Sequence, residues 1–296
     1  MYVLKTWMSA SRNILFLWLL CCAIFFTATD ANRMNNTSFW VIADVPYSRH
    51  ESVVVSRQVK ILESNVDFLV HLGDIKSEHS PCGQLALDEA DSILRRSPVP
   101  VFIIVGDNEF NDCYNIAPSR ALELWRNTFS RYDSKYWKHE IEVEQMANRP
   151  ETFSFVNKLT LFVGLNLVGG DVRDLDEWNT RLDEQVKWVK GLMTKNKSLI
   201  HSVVLFGHAD PVQHHSRFFK PLSLFLQKDF PERIPVLYLC GDAHKWGYDP
   251  GYLKVDNSLR VRVSGGTREP IVMITVDSAK NGSEPRNVFL VKRKVS

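Results

Sequence analysis

The chain has 296 residues, with 36 basic and 34 acidic side chains and a formal charge of +2 at neutral pH. So small a surplus, without any long basic block, gives no argument for a nucleic-acid or polyanion partner. The length allows a substantial core, and one α/β domain of about 250 residues accommodates most of it.

Residues Ile14 to Ala28 are almost wholly apolar, preceded by Lys5 and Arg12 and followed by polar Asp30-Ala31-Asn32-Arg33. That is the pattern of a secretory signal peptide over residues 1–31, with small residues near Thr27 to Ala31 where cleavage falls. A retained signal-anchor is the rival reading, because the run sits at the short end of the ~17 to 25 residues that span a bilayer. No second stretch is long enough to span. The expected location is therefore secreted or secretory-pathway lumen, or else anchored by this segment, with membrane contact only through it. Asn-x-Ser/Thr glycosylation acceptors stand at Asn35, Asn36, Asn196 and Asn281.

Residues 38–296 read as a single domain. Phe39 to Ala43 forms a strand ending in Asp44, and Pro46 turns the chain. Val55, Val59 and Leu62 mark a helical stripe before a second strand, Val66 to Leu72, which ends in Gly73-Asp74. A polar loop to Gly83 leads to a helix over Leu85 to Leu94. Pro98 and Pro100 reset the backbone for the third strand, Val101 to Val105, which closes in Gly106-Asp107-Asn108-Glu109. Repeated strand, polar loop and helix units argue for a parallel sheet.

Ser119 is expected to cap a helix through Leu122, Trp125 and Phe129. From Ser130 to Arg149 the chain is charged and aromatic without a clean period, suited to an excursion over a sheet edge or a site mouth. Thr152 to Val156 and Leu161 to Leu167 read as a hairpin about Asn157-Lys158. Trp178, Leu182, Val186, Val189 and Leu192 mark a long amphipathic helix. A strand over Leu199 to Phe206 ends in Gly207-His208, and a helix over Phe218 to Phe225 follows. The strand Pro235 to Cys240 ends in Gly241-Asp242-Ala243-His244. Tyr252 to Val255, Leu259 to Ser264, Ile271 to Val276 and Val288 to Val291 read as antiparallel strands of the tail.

Five apolar runs thus deliver Asp44, Asp74, Asp107, His208 and the pair Asp242 and His244 to one rim of a sheet. That rim is where ligands bind in open α/β folds. Any one strand-terminal Asp is commonly a turn former or helix cap. Six carboxylates and imidazoles at five such ends instead suit a divalent cation, with imidazole favouring Zn, Fe or Mn over a purely oxygen-bound ion. Outside the leader there are three cysteines. Cys240 lies in a strand pattern and reads as a core residue. Cys82 and Cys113 follow neighbouring site loops and are expected to form a disulfide.

The order Asp-x-x, Gly-Asp, Gly-Asp-Asn-Glu, Gly-His and Gly-Asp-Ala-His resembles the calcineurin-like metallophosphoesterase superfamily over about residues 39 to 265. The resemblance implies a four-layer α/β/β/α sandwich with mixed sheets, two divalent ions (Mn, Fe, Zn or Mg), and hydrolysis of a small phosphorylated substrate. Residue by residue, Asp74 would bridge the ions, Asp44 and His244 would hold the first, and Asp107, His208 and Asp242 the second. Pro46 stands where the family carries a metal-binding His. Asp107 replaces an Asn, Asp242 a His, and Asn108 the His that assists the leaving group. His214 and His215 are candidates to take over that assistance. Glu109 reads equally as a support for the site or a structural cap. A non-catalytic metal- or ligand-binding protein on the same fold is the alternative.

Overall fold

The computed structural model describes residues 36–210, 213–230, 234–267, 271–280 and 284–293. The apolar leader, with the acceptors Asn35 and Asn281, lies outside the described residues. No helix among those described is long and apolar enough to cross a membrane.

The first sheet contains β1 (Asn36–Ile42), β2 (Phe68–His71) and β3 (Val101–Ile103), joined in parallel through α1 (Arg49–Lys60) and α2 (Gln84–Leu94). After β3 come α3 (Pro118–Phe129) and the short α4 (Tyr132–Tyr136). The second sheet begins with β4 (Val143–Met146), β5 (Arg149–Asn157) and β6 (Thr160–Gly164), which pair antiparallel. It continues through α5 (Leu175–Asn196) to β7 (Ser202–Phe206), then α6 (Ser216–Leu224) to β8 (Val236–Cys240), all parallel to β6. β9 (Gly247–Pro250) and β10 (Ser258–Arg262) close that sheet. β11 (Val272–Asp277), α7 (Pro285–Val288) and β12 (Phe289–Arg293) return to the first. The orders are β12-β11-β1-β2-β3 and β4-β5-β6-β7-β8-β10-β9.

Alternation along the strands sorts side chains into layers. Phe39, Val41, Phe68, Val70 and Phe102 of the first sheet face Phe155, Phe162, Phe206, Leu237 and Leu239 of the second. Trp40, Ile42, Leu69 and Ile103 point outward under helices, as do Leu161, Val163, Val203 and Leu205. Both sheets are covered on both faces, which is why their strands read as unbroken apolar runs. The architecture is α/β/β/α. Phenylalanines fill the space between the sheets: within the first sheet Phe39 stacks on Phe68 at 4.8 Å, and across to the second it meets Phe162 edge-on at 5.7 Å. Such pairs add roughly 0.5–1.5 kcal/mol beyond the area they bury.

Three local expectations change. Ser119 is not a cap: α3 starts at Pro118 behind Ala117, whose side chain makes no capping bond. Proline at the first helical position has no N–H to satisfy and arrives with a helical φ, so it sets the boundary instead. Tyr252–Lys254 is a 3-10 turn with left-handed Leu253 and Lys254, and the strand lies upstream at Gly247–Pro250. Pro250 is tolerated there because β9 is an edge strand. The tail is also not uniformly antiparallel, since β10 runs parallel to β8.

The aromatic excursion after Ser130 belongs to a sheet edge. Tyr136 donates to Asp91 and Trp137 to the Ser97 carbonyl, both at 2.9 Å, clamping the segment beside α2 before β4 forms the edge of the second sheet. Cys82 and Cys113 are bridged with Cα atoms 5.7 Å apart. The bridge ties the loop after β2 to the loop after β3.

Candidate metal centre

The C-terminal ends of β1, β2 and β3 meet those of β7 and β8 along one edge of the sandwich. Backbone bonds stitch the rim: Asp44 N–H donates to Gly73 O at 3.1 Å, and Gly241 N–H to His208 O at 3.0 Å. The imidazole of His208 crosses from one sheet to the other, with Nδ1 2.7 Å from Leu72 O. That contact fixes the tautomer and aims Nε2 into a group of carboxylates, an orientation typical of a ligating histidine.

Nε2 of His208 lies 2.7 Å from Asp107 Oδ1 and 3.3 Å from Asp74 Oδ1. The short contact to Asp107 lacks hydrogen-bond geometry: both atoms are buried without a hydrogen-bond partner, as is Asp44 Oδ2. Asp107, His208 and Asp242 bring one ligand atom each within 4.8 Å of one another, and so do Asp44, Asp74 and His208. Asp74 faces two ways. Its Oδ1 is turned to His208, while its Oδ2 accepts from the Tyr47 hydroxyl at 2.8 Å and the Asn108 amide at 2.6 Å. His244 lies at the open side, its Nε2 3.6 Å from Asp44 Oδ1 and its side chain 52% exposed.

Four of these residues hold left-handed backbone: Asp44 (φ 55), Asp74 (φ 60), Asp242 (φ 63) and His244 (φ 49). Each such conformation costs roughly 1–3 kcal/mol in a non-glycine residue, so the surroundings must enforce it. Part of that enforcement is close approach by glycine. A Cβ at Gly106 would stand 2.2 Å from both Asp74 N and Asp74 Oδ1, and one at Gly265 2.3 Å from Asp44 Oδ2. Glu109 supplies the rest: it is buried, and its carboxylate accepts the N–H groups of Gly106 (2.7 Å), Asp74 and Ile75 (3.2 Å each). That braces two site loops and holds the backbone of Asp74, which is the first of its two sequence readings, a support for the site.

The electrostatics follow from crowding carboxylates out of water. Burial pushes Asp44 well above the carboxylate range against the opposing charge of His208. Burial likewise raises Asp242 to about 6 and, with Asp74 beside it, Glu109 to about 7. Asp107 alone is held low, because His208 outweighs its burial. Burial would lower His208, but Asp74 and Asp107 hold it well above the usual imidazole range. A buried excess of carboxylates, with orphaned oxygens and an orphaned imidazole nitrogen, is the donor set a divalent cation satisfies. The residues fit the metal.

The remaining candidates lie apart from that cluster or are otherwise engaged. The Asn108 side chain donates to Asp74 Oδ2 and to the Lys76 carbonyl at 3.1 Å. His215 is buried, its Nε2 2.8 Å from Val168 O and its ring against Trp178 at 5.4 Å. His214 is exposed in the short 3-10 turn Gln213–His215, and its carbonyl accepts from Trp178 Nε1 at 3.1 Å. Sequence reasoning missed Tyr47, whose signal was its place three residues after Asp44. It also missed Asn111, which spans the rim by donating to Gly169 O at 3.0 Å and Asp171 O at 2.9 Å.

Facing sheets with acidic and imidazole side chains at their joined C-terminal edge define a metal-dependent phosphoesterase architecture. The family profile for calcineurin-like phosphoesterases matches residues 37–249, and the chain belongs to that family. Solved structures with the same fold include GAP50, the anchor in the inner membrane complex of Plasmodium, at 11% identity and TM-score 0.51, covering 87% of this chain and 88% of that one. A 5'-nucleotidase from Candida albicans aligns at 13% identity and TM-score 0.52, over 87% of this chain and 51% of that one. The purple acid phosphatase PPD1 of yellow lupin seeds aligns at 10% identity and TM-score 0.48, over 87% and 54%. No curated protein sequence matches the chain.

Proposed function

We propose that the protein hydrolyses a small phosphate ester at a modified two-cation centre. The observation that carries this reading is the set of orphaned, buried donor atoms on Asp44, Asp107 and His208, converging with Asp74 and Asp242 on a rim open to solvent at His244. Asp44 and His244 would hold one ion, Asp107, His208 and Asp242 the other, and Asp74 would contribute to both. Bound divalent ions supply Lewis-acid stabilisation of phosphoryl charge and activation of water. The chain's own part is to fix these ligands, through Glu109, Gly106 and the His208 tautomer.

Proton delivery to the leaving group is the weak point of the site. Both N–H donors of Asn108 are used within the protein, on Asp74 and the Lys76 carbonyl. An amide in any case cannot transfer a proton as an imidazole does. That favours substrates whose leaving groups need no protonation. It is also the observation behind the second reading, in which the same centre binds a phosphorylated ligand without turnover. The Cys82–Cys113 bridge and the apolar leader support an oxidising, exported setting for either.

Folded, metal-loaded protein assayed against phosphomonoesters and phosphodiesters with Mn, Fe, Zn or Mg separates the two. Turnover that vanishes in Asp74→Asn supports the enzyme. Rates no higher than that variant with every metal refute it and leave the binding reading, which equilibrium dialysis with the same esters then measures.

A further inference from the structure

Pro46 removes an imidazole from the first cation position, and the structure shows what stands next to the gap. The hydroxyl of Tyr47 lies 2.8 Å from Asp74 Oδ2, 3.3 Å from His244 Nε2 and 3.5 Å from Asp44 Oδ1. His244 Nε2 is itself 3.6 Å from Asp44 Oδ1. Atoms bonded to one ion at about 2.1 Å are separated by roughly 3.0 Å when cis in an octahedron and roughly 3.4 Å in a tetrahedron. Asp44 and Asp74 group within 4.8 Å with His208 and not with His244, so it is the phenol that links His244 to Asp74, through contacts short enough for ligands of one ion.

The position of the phenol is built in. Tyr47 N–H donates to Glu51 Oε2 at 2.7 Å, and Glu51 N–H in turn donates to the side chain of Ser48, the N-cap of α1, at 3.2 Å. The N-terminus of α1 therefore holds the backbone of Tyr47, and the His244 ring packs against the phenol ring at a centroid distance of 5.5 Å. No helix turn or surface rearrangement is needed to bring the oxygen to the site.

We infer that Tyr47 is a protein ligand of the first cation, taking over the position that proline vacates at residue 46. The ligand set of that ion becomes Asp44, Asp74, His244 and the Tyr47 phenolic oxygen. As the oxygen–metal bond forms, the hydroxyl proton passes to solvent. Replacing neutral imidazole by an anionic oxygen turns the first site toward harder, more highly charged ions. The inference rests on the two-cation reading above.

The test is cation binding, independent of turnover. Chelator-stripped protein is titrated calorimetrically with Zn(II) and with Mn(II), with bound metal counted after dialysis and tyrosinate followed by its ultraviolet difference band. Wild type is expected to take two equivalents with a tyrosinate band. Tyr47→Phe should keep one equivalent, lose the band and bind the second at least tenfold more weakly, and Tyr47→His should restore the second equivalent without the band. Two equivalents bound by Tyr47→Phe as tightly as by wild type would reduce the hydroxyl to a hydrogen-bond donor and overturn the inference. A gain of one equivalent in Tyr47→Phe over wild type would make the hydroxyl a plug in the ion's place, and also overturns it. Should wild type and Asp74→Asn both bind none, the metal reading itself falls, which the Tyr47 variants alone do not decide. Should Tyr47→Phe fail to fold by circular dichroism, the band in wild type alone decides, and its absence at saturation refutes phenolate ligation.

Discussion

His71 offers a clean pH experiment. Its ring is 1% exposed at the end of β2, with Nε2 2.9 Å from Val45 O and Nδ1 accepting the Gly73 N–H at 3.1 Å. That pair of contacts fits only the neutral ring carrying its proton on Nε2, because a second proton on Nδ1 would face the Gly73 N–H. Burial, helped by the neighbouring charge of His208, lowers the group from 6.5 to about 4. A histidine depressed in the folded state stabilises the fold fully above its unfolded value near 6.5, and that contribution is lost as pH falls through the folded value near 4. At 1.36 kcal/mol per pH unit, the lost stability is roughly 3 kcal/mol. Urea denaturation of chelator-stripped wild type and His71→Gln between pH 7 and about 4 measures it, since glutamine reaches the Val45 carbonyl without titrating. Wild type should start more stable and converge on the variant as pH falls. A gap between the two that stays constant across that range would refute the neutral-tautomer argument.

Glu109→Gln leaves one of the three backbone N–H groups of Gly106, Asp74 and Ile75 facing an amide N–H. It should destabilise by about 1–3 kcal/mol, read as a melting shift of several degrees with weakened cation binding. Replacing both Cys82 and Cys113 by serine opens a loop of sequence separation 31 and should cost roughly 4 kcal/mol by chain entropy, read by denaturant midpoint against wild type. Across a series of aryl and alkyl phosphates, turnover should fall steeply as the leaving group becomes more basic, because Asn108 is committed to Asp74 and Lys76; a flat dependence would point to a proton donor elsewhere at the rim.

The parts of the fold that were legible in the chain were those set by burial on both faces. Phe39 to Ala43, Val66 to Leu72 and Val101 to Val105 read as strands because each short apolar run is buried on both faces, and that holds even for Val101 to Val105, whose strand β3 ends the order of its sheet. A strand's end then fixes which rim its next polar residue reaches, so Asp44, Asp74, Asp107, His208 and Asp242 could be grouped before any contact was known. Local boundaries were less legible where two signals compete, as at Pro118 against Ser119 and at Pro250 against the apolar Tyr252-Leu253. Proline wins in both places because its constraint is covalent, while caps and hydrophobic patterning are preferences of about a kilocalorie.

Orientation was the illegible layer. Sequence order cannot show that His215 turns to Val168 O, or that Asp44, Asp74, Asp242 and His244 adopt left-handed backbone. Those φ values decide the site, because a left-handed residue redirects its side chain and frees the rim for glycines that crowd it. Gly106 against Asp74 and Gly265 against Asp44 are the other half of the same device. A strained ligand needs a neighbour without a side chain, and Gly265 also needs to be glycine for its own positive φ of 68. The consequence for Tyr47 is direct. With Asp44 bent back by its positive φ, the chain re-enters the site three residues later, and the first side chain long enough to reach Asp74 Oδ2 past Pro46 is the phenol.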